Sequence, residues 1–304
     1  MKKTVLFFLI ACMVYTSVFA QDSVFVSARG NNENSGLTET EPVKTLARAI
    51  RIANQNNSIN KITVIGTLNT NSEGMATDVS VFGLTTNNRE ILVTGKPDAS
   101  RAERAVLSAA GSGKISMTVI GNTRIRFENI EISGSTGSQN IGLFISGDAH
   151  ITLGPGAAVR GNFMGVLVSD NGTLVINGGE VRNNTSEGIS LVFNTNCIIE
   201  NGEIRDNGGM GILVANNGVL VMRNGTIRSN RDGGVAVIGN GRFTMHDGTI
   251  TGNRSNRRIG GVFVNTGATF DQTGGTINRN TAVDTPHHNV HRVEGSLGSD
   301  LVTR

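Results

Sequence analysis

Apolar positions return along this chain with a period of 23 residues: Gly165, Gly188, Gly211 and Gly234 each open a short aliphatic run. Gly142 stands one period upstream, and Gly261 one period plus four residues downstream, so the repeat spans about 141 to 280. In each run the residues Val166, Ile189, Ile212, Val235 and Val262, and two places on Val168, Leu191, Val214, Val237 and Val264, form apolar columns. The residues between them (Leu167, Ser190, Leu213, Ala236, Phe263) are mixed in size and polarity, as outward positions of a strand with period two should be. A second alternating segment places Leu174, Cys197, Leu220, Phe243, Phe270 and Ile176, Ile199, Met222, Met245, Gln272 inward, the last being the one polar exception. A third contributes a single inward column, Val181, Ile204, Ile227, Ile250 and Ile277. No helical period is present in the unit, so the pattern predicts three strands per coil stacked into a solenoid.

The polar residues keep the same register. Asn171, Asn194, Asn217 and Asn240 form one column and Asn184, Asn207, Asn230, Asn253 and Asn280 another. Asn tolerates left-handed backbone, and amides stacked at the inter-strand spacing of about 4.8 Å can bond along the axis as a structural ladder. Gly179, Gly202, Gly225, Gly248 and Gly275 make a third column, expected at a turn that needs positive φ.

A coil of this length with three parallel strands resembles the right-handed parallel β-helix of the pectin-lyase-like superfamily, in its secreted bacterial form. The start of the chain adds to the resemblance: Val24-Phe25-Val26-Ser27, then Gly30-Asn31-Asn32-Glu33-Asn34-Ser35-Gly36, then Pro42-Val43-Lys44-Thr45-Leu46-Ala47-Arg48-Ala49-Ile50. Leu46, Ala49, Ile50 and Ala53 fall on one helical face, able to cover the open end of the solenoid. The fold expected is therefore all-β: a right-handed single-stranded parallel β-helix, three strands to each coil, with a short N-terminal capping helix. Its parts are a signal peptide at 1–20, an opening strand and capping helix at 21–60, the β-helix at 61–280, and a C-terminal tail or cap at 281–304.

Lys2 and Lys3, an apolar run to about Val14, and Val18-Phe19-Ala20 before Gln21 have the plan of a secretory signal. Leu9-Ile10-Ala11-Cys12 also matches a bacterial lipoprotein pattern, so a membrane enters the picture only if Cys12 is lipidated. No other stretch approaches the roughly 20 apolar residues of a membrane span. The expected address is export: secreted, periplasmic or at the cell surface.

Composition then removes some partners. Of 27 basic residues, removal of Lys2 and Lys3 leaves 25 against 24 acidic ones, so the mature chain is nearly neutral. With aromatic residues at 4%, no Trp and one Tyr, which lies in the signal, stacking platforms for bases are not indicated, and nucleic acid is not an expected partner. Cys197 is the one thiol left after cleavage.

The strongest candidate for chemistry is the outward column Arg160, Arg182, Arg205 and Arg228, with Glu180 and Glu203 two residues before their arginines. Stacked guanidiniums can grip the carboxylates or phosphates of an acidic polymer in bidentate fashion; the simpler reading is a solvated face on which Arg and Glu neutralise each other across coils. The resemblance implies that an enzyme of this superfamily would carry clustered carboxylates holding calcium beside an Arg or Lys base, or paired aspartates. Asp170, Glu187, Asp206, Asp232, Asp247 and Asp271 instead fall in different columns, and no lysine follows Lys114. No metal or cofactor is expected, calcium entering only with an enzyme. His287, His288 and His291 lie beyond the last regular coil, where a tail or cap is the simpler reading than a metal site. Leu167, Leu213 and Phe263, with Val175, Ile198 and Val221 on the next face, form apolar stripes that either meet a partner or lie under a loop. The function expected is a non-catalytic exported surface recognising polysaccharide or a cell-surface protein. The alternatives are a lyase or hydrolase acting on an acidic polysaccharide, or a structural component of the cell envelope.

Overall fold

The computed structural model describes residues 22–70, 81–82, 89–98, 104–109, 114–134, 139–256, 260–283 and 288–300. The signal-peptide segment, Cys12 included, and His287 lie outside them.

Every coil stacks on the next in parallel register, and the register is the one that the apolar period demands. The first strands align Leu143, Val166, Ile189, Ile212, Val235, Val262 and Val290. The second align Ile151, Leu174, Cys197, Leu220, Phe243 and Phe270, and the third Val159, Val181, Ile204, Ile227, Ile250 and Ile277. Apart from Val290 and Ile277, which are partly covered near the C-terminal end, these side chains are completely buried. The result is a β-solenoid with one core along its axis. The first strands make a nine-stranded sheet, and the second and third together a 17-stranded one. The last two run on without a break in Thr173–Arg182 and Asn196–Arg205, with a register shift near Asn177.

Two details differ from expectation. Positive φ falls on Gly202, Gly225, Gly248 and Gly275, but in the coil before them on Gly178 rather than Gly179, because the ladder slips there. Ser190 and Ala236 are buried, at 3% and 1% exposure, because these small residues sink between the larger Leu167, Leu213 and Phe263 stacked on either side.

The solenoid also extends past its expected limits. Ser23–Ser27 already pairs with Lys61–Ile65 as a rung, and helix α1 (Leu46–Gln55) buries Leu46, Ala49, Ile50 and Ala53 against that end. Thr45 caps α1 by accepting from Arg48 N, and Asn32 Oδ1 fixes the cap by accepting from the backbone N–H of Lys44 and Thr45, each at 3.1 Å. Arg89 donates to Ala53 O in the last turn of the helix and to Asn57 O just beyond it. Where a tail or cap was expected, Val290–Arg292 adds a further first strand against Val262–Val264. Arg292 ties that coil to the core, donating to Phe270 O and Leu297 O and lying 5.3 Å above the Phe270 ring.

Burial pushes the Cys197 thiol up to about 12 from an ordinary 9.0. A raised folded pKa means that the stability linked to this thiol is complete below about pH 9 and drains away as pH climbs towards 12. The expected result is an alkaline fall in the urea midpoint that Cys197→Val reduces, and a thiol that a disulfide reagent titrates at pH 8 only after unfolding. Native and unfolded chains reacting at equal rates would contradict the inward column.

Candidate functional site

Strand alternation and coil register together build the polar face of the third strands. Arg160, Arg182, Arg205 and Arg228 stack directly on one another, with Ser133 and Thr251 continuing the column at its two ends. The neighbouring outward column is Glu131, Ala158, Glu180, Glu203 and Thr226. Arg160 Nε lies 2.7 Å from Glu131 Oε2, Arg182 Nε 2.5 Å from Glu180 Oε2, and Arg205 Nη1 2.7 Å from Asp206 Oδ2. Arg205 Nη2 reaches back to Glu180 at 3.2 Å and Arg228 Nη2 to Glu203 at 3.1 Å, so the pairs interlock between coils. Arg205 Nε sits 2.8 Å from Glu203 Oε2 without the alignment needed to donate to it.

Partial burial works against the charge of Arg205, but the bond to Asp206 and the fields of Glu180, Asp206 and Glu203 outweigh it and hold its pKa above the ordinary guanidinium value. Glu131, Glu180, Glu203 and Asp206 thus answer the four arginines charge for charge. The arginine side chains are 19–36% exposed and each is paired with a carboxylate, so the face is net-neutral.

Inside the turn after the third strand the Asn ladder runs unbroken. Each side-chain amide donates to the next Oδ1: Asn184 to Asn207 at 3.0 Å, then Asn207 to Asn230, Asn230 to Asn253 and Asn253 to Asn280 at 2.9 Å each. The same amides donate to backbone carbonyls of the preceding coil, Val159, Val181, Ile204 and Ile227 in turn. Two members escape the period: Asn162, at 3.1 Å from Asn184 Oδ1, and Asn289, which accepts from Asn280 at 3.3 Å. Asn162 stands three residues before its glycine where Asn184, Asn207 and Asn230 stand four, so column counting passes over it. In the outer Asn column, Asn217 Nδ2 donates to Asn194 Oδ1 at 3.1 Å.

The scattered carboxylates have local partners. Asp170 accepts from Ser146 and Ser169, Asp232 from Ser255, Asp247 from Gly248 N, and Asp271 from Ser299. Glu187 bonds Ser186. Among the described residues no group of three or more His, Cys, Asp or Glu is arranged to hold a metal. His288 Nδ1 accepts from Ala282 N at 3.0 Å and His291 stacks on Phe263, so both belong to the final coil. His150 has a lowered pKa because of burial and the charge of Arg124, partly offset by Glu90. The apolar stripe residues Leu167, Leu213, Phe263, Val175, Ile198 and Val221 are half-buried, each covered on its flanks by its stacked neighbours.

Comparison with known proteins agrees with this geometry. The sequence profile described as "Right handed beta helix region" matches residues 113–286. The chain belongs to this right-handed β-helix family. No curated protein matches it. Among solved structures the β-helix is similar to the GH136 lacto-N-biosidase from Eubacterium ramulus, at 10% identity over 89% of this chain and 68% of that one, with a TM-score of 0.36. A likeness of that size transfers neither site nor activity.

Proposed function

We propose that this β-helix protein is exported by the segment 1–20 and serves as a non-catalytic recognition scaffold, presenting a long rigid surface to glycans or cell-surface proteins. The observation that carries the reading is the interlocked Arg–Glu column. Its charges are held against one another at fixed register, which supports a stiff, net-neutral display surface better than a grip on an acidic polymer. The local bonding of Asp170, Asp232, Asp247 and Asp271 supports the same reading, since glycoside hydrolysis needs two carboxyl groups facing a shared space about 5–9 Å across.

The test is binding and turnover on acidic and neutral polysaccharides, with calcium and with chelator, for the wild type and the triple variant Arg182→Ala/Arg205→Ala/Arg228→Ala. Binding without product release is expected. The triple variant should retain binding and lose about 1–3 kcal/mol of stability, because each partly exposed, paired arginine contributes up to about 1 kcal/mol. Released product would replace this reading with the lyase or hydrolase. Loss of binding in the triple variant would return the contact to the arginine column. Failure of the wild type to bind any glycan or protein, with self-association, would point to a structural envelope role.

A further inference from the structure

Phe193 breaks the chemistry of its own column. It stands in the turn after the strand Ile189–Leu191 with φ of +61°, followed by Asn194 at +60°. Successive left-handed residues are the province of Asn, Asp and Gly. The equivalent turns obey this, with Asp170 and Asn171 at +48° and +69°, Asn216 and Asn217 at +49° and +68°, and Gly239 at +58°. A phenylalanine there sets its Cβ against the carbonyl oxygen, and it hides little in return, since 54% of the residue is exposed. Neither backbone preference nor burial accounts for an aromatic residue at this point. Strain that structure does not require is a mark of function.

The surroundings say what kind of ligand suits the ring. In the same coil, three residues before Phe193, the buried Ser190 lies between the larger, half-buried Leu167 and Leu213 of the coils on either side. In the same turn and the equivalent turns of the coils on either side stand exposed planar groups: the Asn194 and Asn217 amides, bonded to each other at 3.1 Å, and Asp170, whose Oδ2 accepts from Ser146 and Ser169. A pyranose ring has an apolar C–H face that fits on an exposed phenyl ring and a rim of hydroxyls that needs amide and carboxylate partners. Asp170, which holds the equivalent turn position one coil away, and Glu187, two residues before the strand, are acidic, whereas the arginine column belongs to the third strands. An acidic sugar would therefore be repelled.

We propose that Phe193 is the stacking platform of a binding site for a neutral glycan, one sugar lying on the ring with its hydroxyls on Asn194, Asn217 and Asp170. The inference rests on the recognition reading and narrows it to one ligand class and one face.

Calorimetric titration with cello-, chito-, laminari-, xylo- and mannohexaose, and polygalacturonate as the acidic control, tests it on the wild type, Phe193→Asn and Phe193→Tyr. The expected result is binding of at least one neutral oligosaccharide and none of polygalacturonate. Phe193→Asn should bind at least about tenfold more weakly, with a Tm equal to or above the wild type because Asn suits the turn, while Phe193→Tyr stays close to the wild type. Full affinity in Phe193→Asn, or no binding of any neutral oligosaccharide, overturns the site. Polygalacturonate binding that is lost in the triple arginine variant would leave the recognition reading standing and remove this site. Phe193→Asn lowering the Tm would show that the aromatic residue serves the fold.

Discussion

Asn207→Ala is expected to destabilise the solenoid by about 3–5 kcal/mol, from loss of several buried hydrogen bonds at once. The side chain is fully buried. Its Oδ1 accepts from Asn184 N at 3.1 Å and Asn184 Nδ2 at 3.0 Å, while its Nδ2 donates to Val181 O at 3.2 Å and Asn230 Oδ1 at 2.9 Å. Alanine removes one donor group and one acceptor and leaves their partners stranded away from water, each at a cost of about 1–3 kcal/mol before relaxation. Asn207→Asp is an informative companion, because it keeps the acceptor for Asn184 and turns a second oxygen towards Val181 O and Asn230 Oδ1. It should be at least as damaging as alanine. Since each coil touches mainly its neighbours, the loss should be local. Amide exchange should quicken around Asn184, Asn207 and Asn230 and stay slow at Val24 and Val26. An unchanged urea midpoint with unchanged exchange would mean that the ladder contributes nothing net.

Gly211→Ala should destabilise by about 1–3 kcal/mol, the usual range for overfilling a packed site. At most positions with negative φ, replacing Gly by Ala stabilises by about 0.4–1 kcal/mol, and Gly211 is not among the positive-φ glycines. The sign reverses here because an added Cβ would lie 2.7 Å from Asn230 Nδ2, 2.7 Å from Gly234 O and 2.9 Å from Ile227 Cγ2. The ladder amide and the next coil's backbone have nowhere to retreat. Gly188 repeats the arrangement with Asn207 Nδ2 and Gly211 O, both at 2.7 Å. Thermal or urea unfolding of Gly211→Ala, Asn230→Ala and the double variant checks the cause: the double variant should be less damaged than the sum by about 1 kcal/mol. A more stable Gly211→Ala protein would show that the glycine is kept for the chain rather than for space.

These two substitutions mark how far the fold could be read from the chain. The inward columns through Ile189, Leu191, Ile199 and Ile204 are legible because burial imposes period two within a strand and parallel stacking imposes a fixed period between coils. The Asn column from Asn184 to Asn280 is legible for the same reason. Asn162 is not, because its turn is one residue shorter, and Asn289 is not, because it stands nine residues after Asn280 rather than a full period. The glycine at Gly211 is visible as a pattern, but its cause, room for an amide from the next coil, exists only in three dimensions. The arginines are visible too, yet whether Arg205 faces solvent or Glu180 is decided by cross-coil distances. Phe193 could have been found by setting it beside Asp170, Asn216 and Gly239, but its exposure and its left-handed backbone could not.

The ladder has one further consequence, for length. Every amide between Asn184 and Asn280 is satisfied by the coil before it and the coil after it and by nothing else in the ladder. A duplicated 23-residue unit between Asn207 and Asn230 would find both partners waiting, and would lengthen the rod by about 4.8 Å without disturbing either end. The protein is in this sense a ruler with removable graduations, whose reach can change by whole coils while the faces it carries stay in phase.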